Sequence, residues 1–246
     1  EGSILVKIIF DFLCSLLGLI FLFPFLFIFS CLIFLQDFKT PFYIAPRVGK
    51  DGKLFNMIKL RSMVIDADKS GVDSSSLNDT RITTIGSLVR RFKLDELAQL
   101  INVLKGDISL VGPRPNVLNE TKLYSDKEKK LLSIKPGITD FASIVFSDEG
   151  VILKDSKDPD LDYNQLIRPG KNYLGLFYIE NSNFLTDVKL CFITIIAIFS
   201  RSIALQLVNK LLIKLKADEA LIKIARRDEP LKPMAPPGLN DIIISR

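Results

Sequence analysis

The 246-residue chain contains no histidine and no tryptophan, and only three cysteines. Without histidine there can be no Ser-His-Asp or Cys-His triad and no HExxH zinc site, so acid, base and nucleophile work falls to carboxylates, lysine, tyrosine or cysteine. Carboxylates are the first candidates among these. Cys14, Cys31 and Cys191 each sit inside an apolar run without CxxC spacing, the pattern of inert thiols in a reducing compartment. Proline and glycine are sparse, at 12 and 13 residues, and 48% of the chain is hydrophobic, which excludes the disordered and collagen-like classes and leaves enough apolar material for a core.

What the chain does have is unevenly spread. A mean hydropathy of +0.28 in a chain that is 25% charged requires the apolar residues to be concentrated, and they are: Phe12 to Leu35 is a run of 24 residues without a charge. As a helix it covers about 36 Å, against a hydrocarbon core of about 30 Å. The run exceeds the apolar stretch of a signal peptide, and no small-residue cleavage site follows it. Pro24 lies near its centre, where it removes a backbone hydrogen bond, and basic residues flank both ends, Lys7 before and Lys39, Arg47, Lys50 and Lys53 after. Charge on both sides does not orient a span, so a full span and a helix that bends at Pro24 and leaves by the face it entered are both open on physical grounds. The whole chain carries 33 basic and 28 acidic residues, a net charge of +5, which favours anionic partners without choosing among nucleic acid, phosphorylated metabolites and an acidic bilayer.

After the membrane segment, Pro41 to Leu60 reads as a basic β-hairpin turning at Gly49-Lys50-Asp51-Gly52. Ser70 to Thr80 reads as a surface loop, and helical pattern resumes at Ile85 to Arg90 and from Asp95 to Lys105, stopped by Gly106. Ser125-Asp126-Lys127-Glu128 matches a capping box that starts a short helix before Pro136-Gly137. Ser147 to Gly170 reads as a long loop. Leu190 to Phe199 is apolar but too short to span, while Leu207, Val208, Leu211, Leu212 and Leu215, interleaved with Lys210, Lys214 and Lys216, suit either an anionic interface or the protein's own core. Pro230, Pro233, Pro236 and Pro237 mark an extended tail.

Candidate chemistry sits on the helix opened by Asp95. Asp95, Gln99 and Asn102 form a polar stripe fit to face a cleft, and Asp95 and Glu96 fall in a first turn, where unpaired N–H groups stabilise carboxylates. The expectation is a low-pKa, ionised Asp95, although acidic residues at helix starts are also ordinary caps. Arg114, stiffened between Pro113 and Pro115, is suited to a bidentate phosphate contact, and Arg90 and Arg91 add positive charge just upstream.

These residues, in the order Lys7-x-x-Phe10-Asp11, the apolar run with Pro24, Lys59-x-Arg61-Ser62-Met63, Leu94-Asp95-Glu96-Leu97-x-Gln99-Leu100-x-Asn102-Val103-Leu104-x-Gly106-Asp107, Ser109 to Pro115 and Lys135-Pro136-Gly137-Ile138-Thr139, resemble the bacterial sugar transferase family of polyprenyl-phosphate phosphoglycosyl transferases. The match covers roughly residues 4 to 200. The resemblance implies an α+β, mainly helical fold: a re-entrant membrane helix bent at Pro24, a β-hairpin, and interfacial amphipathic helices around a small catalytic core. It divides the chain into a membrane segment (1–40), a catalytic domain (41–200) and a C-terminal amphipathic extension with a Pro-rich tail (201–246).

It further implies a bacterial inner-membrane enzyme facing the cytoplasm that transfers a sugar 1-phosphate from a UDP-sugar to undecaprenyl (polyprenyl) phosphate, releasing UMP, at the start of surface glycan assembly. Asp95 would be the nucleophile, with Glu96 and Asp95 holding Mg²⁺ and Lys59, Arg61, Arg90 and Arg114 binding substrate phosphates. Phe23 stands where the family has a serine, which leaves Pro24 to make the bend alone. Asp140-Phe141-Ala142-Ser143 replaces the usual Gly-Trp-Ala-Gln, and Ala45 replaces a Gln, departures that bear on substrate detail rather than on the Asp-Glu and Pro-Arg-Pro motifs. The competing class is a non-catalytic membrane-anchored scaffold that uses its basic face on anionic lipid. Nucleic acid is not an expected partner, since no recognition motif is present, and the sequence sets neither the sugar nor the oligomeric state.

Overall fold

The computed structural model describes residues 2–72 and 74–244; Asp73, part of the loop expected over Ser70 to Thr80, lies outside them, as do residues 1, 245 and 246 of the outer segments. The apolar run forms one helix, α1 (Gly2–Asp37), with Pro24 inside it. Helical conformation therefore continues through Pro24. In an apolar run the backbone groups have no partner but the helix itself, so the loss of one N–H donor does not end it.

One stripe of α1 touches the rest of the chain. At its start Lys7 pairs with Asp187 and donates to Val111 O, and Asp11 accepts from Ser109 Oγ at 2.7 Å. Gly18 meets Leu100, and Leu26, Phe29 and Ile33 pack with Leu60 and Val89. At its end Asp37 receives Arg61 Nη1 and Nη2 at 2.5 and 2.7 Å, while Arg61 Nε donates to Thr40 O. With the fully buried Ser15 between Asp11 and Gly18, the positions recur at three- or four-residue spacing apart from a gap between Gly18 and Leu26, so a single helical face docks. The other faces expose Leu5, Phe12, Ile20, Phe21 and Phe27.

The expected hairpin is present as β1 (Phe42–Val48) and β2 (Leu54–Leu60), antiparallel with Ala45 opposite Met57. Its turn holds Asp51 and Gly52 at positive φ, 56° and 74°. Next comes α2 (Thr84–Arg91), capped by the Thr83 hydroxyl; a Cβ on its Gly86 would lie 1.8 Å from Ser62 O, so the helix crosses that strand end backbone to backbone. The Asp95 helix is nearly continuous, as α3 (Leu94–Leu97) and α4 (Gln99–Lys105) joined at Ala98 and closed by Gly106 at φ 79°.

Then follow β3 (Ser109–Val111), α5 (Leu118–Lys122), and a 3-10 turn at Glu128–Ser133 that carries the capping box in full: Ser125 N donates to Glu128 Oε2 and Glu128 N to Ser125 Oγ. β4 (Gly137–Thr139) pairs with β3 in parallel, a small sheet the apolar pattern did not announce.

The stretch read as a loop, Ser147 to Gly170, is instead largely helical. After α6 (Phe141–Val145) come α7 (Glu149–Ile152), α8 (Pro159–Asp162) and a π-helical turn, Tyr163–Ile167, that runs into α9 (Arg168–Asn181). The Asp and Pro residues that suggested a loop are helix starters here: Asp158 caps α8 with Pro159 at its first turn, and Pro169 opens α9.

The chain closes with α10 (Phe184–Phe199), α11 (Arg201–Lys214), α12 (Glu219–Arg226) and the extended tail. Val208, Leu211 and Leu212 of α11 and Leu221 and Ile222 of α12 are buried in the same core as Phe141, Val145, Leu174 and Leu190. The leucine pattern of 207–215 therefore packs on the protein, and the C-terminal extension completes the core rather than lying apart from it.

Candidate active site

The site forms where β2, α3 and the loop after β3 converge. Asn102 on α4 fixes the first two: its Oδ1 accepts from Ile58 N at 2.9 Å and its Nδ2 donates to Asn56 O at 2.8 Å. Gln99 and Asn102, expected to face a cleft, are both buried, so the polar stripe is spent on tying the hairpin to the helix and on the interior. The Pro-Arg-Pro loop is set by a second close crossing. A Cβ on Gly137 would lie 2.1 Å from Gly112 N, and the two glycines let Gly137 N reach Pro113 O and Gly112 N reach Thr139 O at 2.9 Å each. Arg114 therefore leaves a backbone that β4 holds in place.

Its guanidinium meets Glu96, with Nη2 to Oε1 at 2.6 Å. Burial alone would raise the Glu96 carboxyl, but Arg114, then Lys93 and Lys59, hold it well below the usual carboxylate range. Asp95 goes the other way. Burial is the largest influence and raises its carboxyl, against the pull of Lys59 and with a further push from Glu96. The expected low-pKa Asp95 is thus corrected: α3 is a four-residue turn following Lys93 at φ 57°, and the favourable field at its start is outweighed by desolvation.

Asp95 Oδ1 is buried with no hydrogen-bond partner among the described residues. A buried carboxylate oxygen left without a hydrogen bond costs stability, even with the charges of Lys59, Lys93 and Arg90 acting on it, and it is the atom a nucleophile or a cation ligand would need.

Of the six residues singled out, the structure brings together Lys59, Arg90, Asp95, Glu96 and Arg114. Arg90 donates to Ser75 Oγ at 2.5 Å and lowers the Asp95 carboxyl through its charge. Arg61 is committed elsewhere: 5% exposed, it spends its donors on Asp37 and on backbone carbonyls at the end of α1. The structure gives these donors to the end of α1 and does not bring Arg61 to the Asp95 group. Charge pattern alone could not separate Arg61 from Lys59, because they stand two residues apart at the end of one strand.

The sequence reading also missed Lys171 and Glu149, paired at 2.5 Å, with Arg114 and Lys171 together holding the half-buried Glu149 carboxyl low against the opposing effect of burial. No local signal marks them, since α7 and α9 meet only through packing.

Lys59 is the titrating member of the group. Burial, and then the charge of Arg114, push its ammonium down to about 8 against the upward pull of Glu96 and Asp95. The Lys59 charge is present below about pH 8 and lost above it. We expect kcat/KM, which reports the free enzyme, to fall as pH rises through about 8, and Lys59→Arg to remove that inflection because guanidinium does not titrate there. An unchanged inflection in Lys59→Arg would assign it to another group. Stability runs in the opposite direction: between about 8 and the ordinary lysine value the unfolded chain binds more protons, so Lys59 makes folding more favourable as pH rises.

Comparison with known proteins decides what this site belongs to. A profile of the bacterial sugar transferase family matches residues 2–201. The chain belongs to that family. Among its relatives, the undecaprenyl-phosphate galactose phosphotransferase of Salmonella typhimurium is 34% identical over 209 residues, covering 79% of this chain and 40% of its own length. The undecaprenyl-phosphate glucose phosphotransferase of Komagataeibacter xylinus is 35% identical over 210 residues, covering 82% and 37%. The exopolysaccharide production protein ExoY of Sinorhizobium fredii is 30% identical over 204 residues, covering 77% and 83%. The chain thus spans under half of the two phosphotransferases and most of ExoY. The expected family is borne out, and with it a bacterial transferase in which, among the described residues, one helix, α1, is long and apolar enough to cross a membrane.

Proposed function

We propose that the chain transfers a sugar 1-phosphate from a UDP-sugar to undecaprenyl (polyprenyl) phosphate, in the first membrane step of surface glycan assembly. The observation that carries this reading is the unpaired, buried Asp95 Oδ1 within reach of the charges of Lys59, Arg90 and Arg114. An Asp95 oxygen forms a bond to the phosphorus that bears the sugar, the bond from that phosphorus to UMP oxygen breaks, and UMP leaves with the electron pair. An oxygen of polyprenyl phosphate then attacks the same phosphorus and returns Asp95 as a carboxylate. Arg114 and Lys59 neutralise the phosphate charge that would otherwise repel a carboxylate nucleophile.

The donor set suits Mg²⁺. Among the described residues no cluster of three or more Cys, Asp or Glu stands ready as a closed metal site, but Mg²⁺ takes one or two carboxylates and keeps water and substrate phosphate as its other ligands. Asp95 Oδ1 and the Glu96 carboxylate are the residues that would hold it, and when bound it supplies neutralising charge. Purified protein should release UMP from at least one of UDP-glucose, UDP-galactose and their N-acetylamino counterparts in the presence of polyprenyl phosphate, and EDTA should stop it. The scaffold reading requires no UMP from any of them. Undiminished release in EDTA would remove the metal.

We further propose that α1 stays helical through Pro24 but bends there and returns to the face of the membrane it entered, with the catalytic part on the cytoplasmic side of the inner membrane, where UDP-sugars are made. Both ends of α1 contact one body, Lys7 through Asp187 and Asp37 through Arg61, which supports their lying on one side of the bilayer. The lipid contact would extend from α1 across the Phe10–Phe184 ring contact to the exposed Leu185, Phe192, Ile195 and Phe199 of α10. Single cysteines at Ile4 and Thr40, in a chain lacking Cys14, Cys31 and Cys191, should both resist an impermeant thiol reagent until cells are lysed. Labelling of one position and not the other in intact cells would establish a full span.

A further inference from the structure

Arg114 has a second side. Away from Glu96 it lines a small notch with Asp140, Tyr163, Lys171 and Asn172, in which there is room for a single water-sized group. Asp140 is 1% exposed. Its Oδ1 accepts from Ser143 N at 2.7 Å and so caps α6, while its Oδ2 and the neighbouring Ser143 hydroxyl are both buried without a hydrogen bond of good geometry among the described residues. Lys171, whose ammonium lies 5.5 Å from the centre of the Tyr163 ring, is already paired with Glu149. A helix cap needs one oxygen; serine, threonine or asparagine would serve as well. The second carboxylate oxygen is surplus to that role, and leaving it unpaired in the interior costs stability.

We propose that this notch reads the sugar of the nucleotide-sugar donor, with Asp140 Oδ2 accepting a hydrogen bond from a single hydroxyl or amide N–H on the ring. The inference rests on the proposed reaction. The sugar is bonded directly to the phosphorus that Asp95 attacks, whereas the base is separated from it by a ribose and a second phosphate. Arg114 touches Glu96, the neighbour of Asp95, on one side and borders the notch on the other, so the group that reaches the notch is the one next to the attacked phosphorus. The notch is too small for a pyranose ring and the right size for one substituent on it, which makes Asp140 a reader of identity or configuration at one carbon. Burial raises the Asp140 carboxyl, while the backbone and hydroxyl of Ser143 and the charges of Lys171 and Arg114 oppose it.

The test compares the full chain with Asp140→Asn, which keeps the capping oxygen and exchanges the acceptor Oδ2 for a donor, and with Asp140→Ser, which keeps a cap and has no second oxygen. kcat/KM is measured for UDP-glucose, UDP-galactose, UDP-N-acetylglucosamine and UDP-N-acetylgalactosamine, together with inhibition by UMP. The proposal predicts a loss of roughly tenfold to a hundredfold for the preferred donor, a smaller loss or a gain for the sugar that differs at the recognised carbon, and unchanged UMP inhibition. An unchanged ranking, an equal loss for every donor, or altered UMP inhibition would each overturn it, leaving the notch to water, to stability or to the nucleotide. If the unsubstituted protein turns over none of the four, the failure lies with the proposed reaction instead.

Discussion

Asp95→Asn is expected to lower UMP release by a factor on the order of 10⁴ or more while leaving the fold intact. The substitution is isosteric, so the packing of α3 against β2 is preserved, and it removes a buried charge whose Oδ1 has no partner to lose. An amide cannot form the phosphorus bond that a carboxylate forms. Thermal unfolding should show Asp95→Asn as stable as the parent chain or more so, since burial already disfavours the ionised form at this position. Activity near that of the parent in a folded Asp95→Asn protein would remove Asp95 from the chemistry. Loss of activity together with loss of folding would show that its role is structural.

Arg114→Lys is the second large effect. It keeps a positive charge but gives up the planar fork, so a contact that needs two parallel N–H donors on phosphate is lost along with the geometry toward Glu96. We expect a fall of roughly 10² to 10³ in kcat/KM, the range found when one charge-stabilising donor is removed. Arg114→Ala should add a stability loss of about 2 kcal/mol, because Glu96 is left mostly buried without its 2.6 Å partner. If Arg114→Lys matched the parent chain at limiting UDP-sugar, point charge alone would suffice and bidentate binding would be wrong.

Much of this was legible before any coordinates. The hairpin followed from two apolar runs around a Gly-Lys-Asp-Gly turn, and the capping box at Ser125 and Glu128 followed from spacing alone, because both are local patterns whose hydrogen bonds close within a few residues. Lys59, Arg90, Asp95, Glu96 and Arg114 were singled out by motif order, and they do gather. What escaped the sequence depends on contacts between distant segments. Asp95 is desolvated as α3 packs against β2, α2 and α1, which no helix-start rule contains. Arg61 is claimed by Asp37, 24 positions away. Lys171 and Asp140 come to Arg114 only through the packing of α6 and α9, and α9 itself was hidden because Arg168-Pro169-Gly170 reads as a turn when its buried partners, Glu128 and Asn164, are not in view. Composition misled in the same region: Asp and Pro mark loops and helix starts alike.

The most direct test of Asp95 as nucleophile leaves the acceptor out. The purified chain is incubated with its preferred UDP-sugar and Mg²⁺ in the absence of polyprenyl phosphate, quenched in acid, and its peptides are weighed. A covalent pathway predicts about one equivalent of UMP released per chain, and a mass increase of one sugar phosphate on the peptide containing Asp95, absent in Asp95→Asn. No UMP without acceptor, with every peptide at its unmodified mass and full turnover once polyprenyl phosphate is added, would show direct transfer between the two substrates and contradict the role assigned to Asp95.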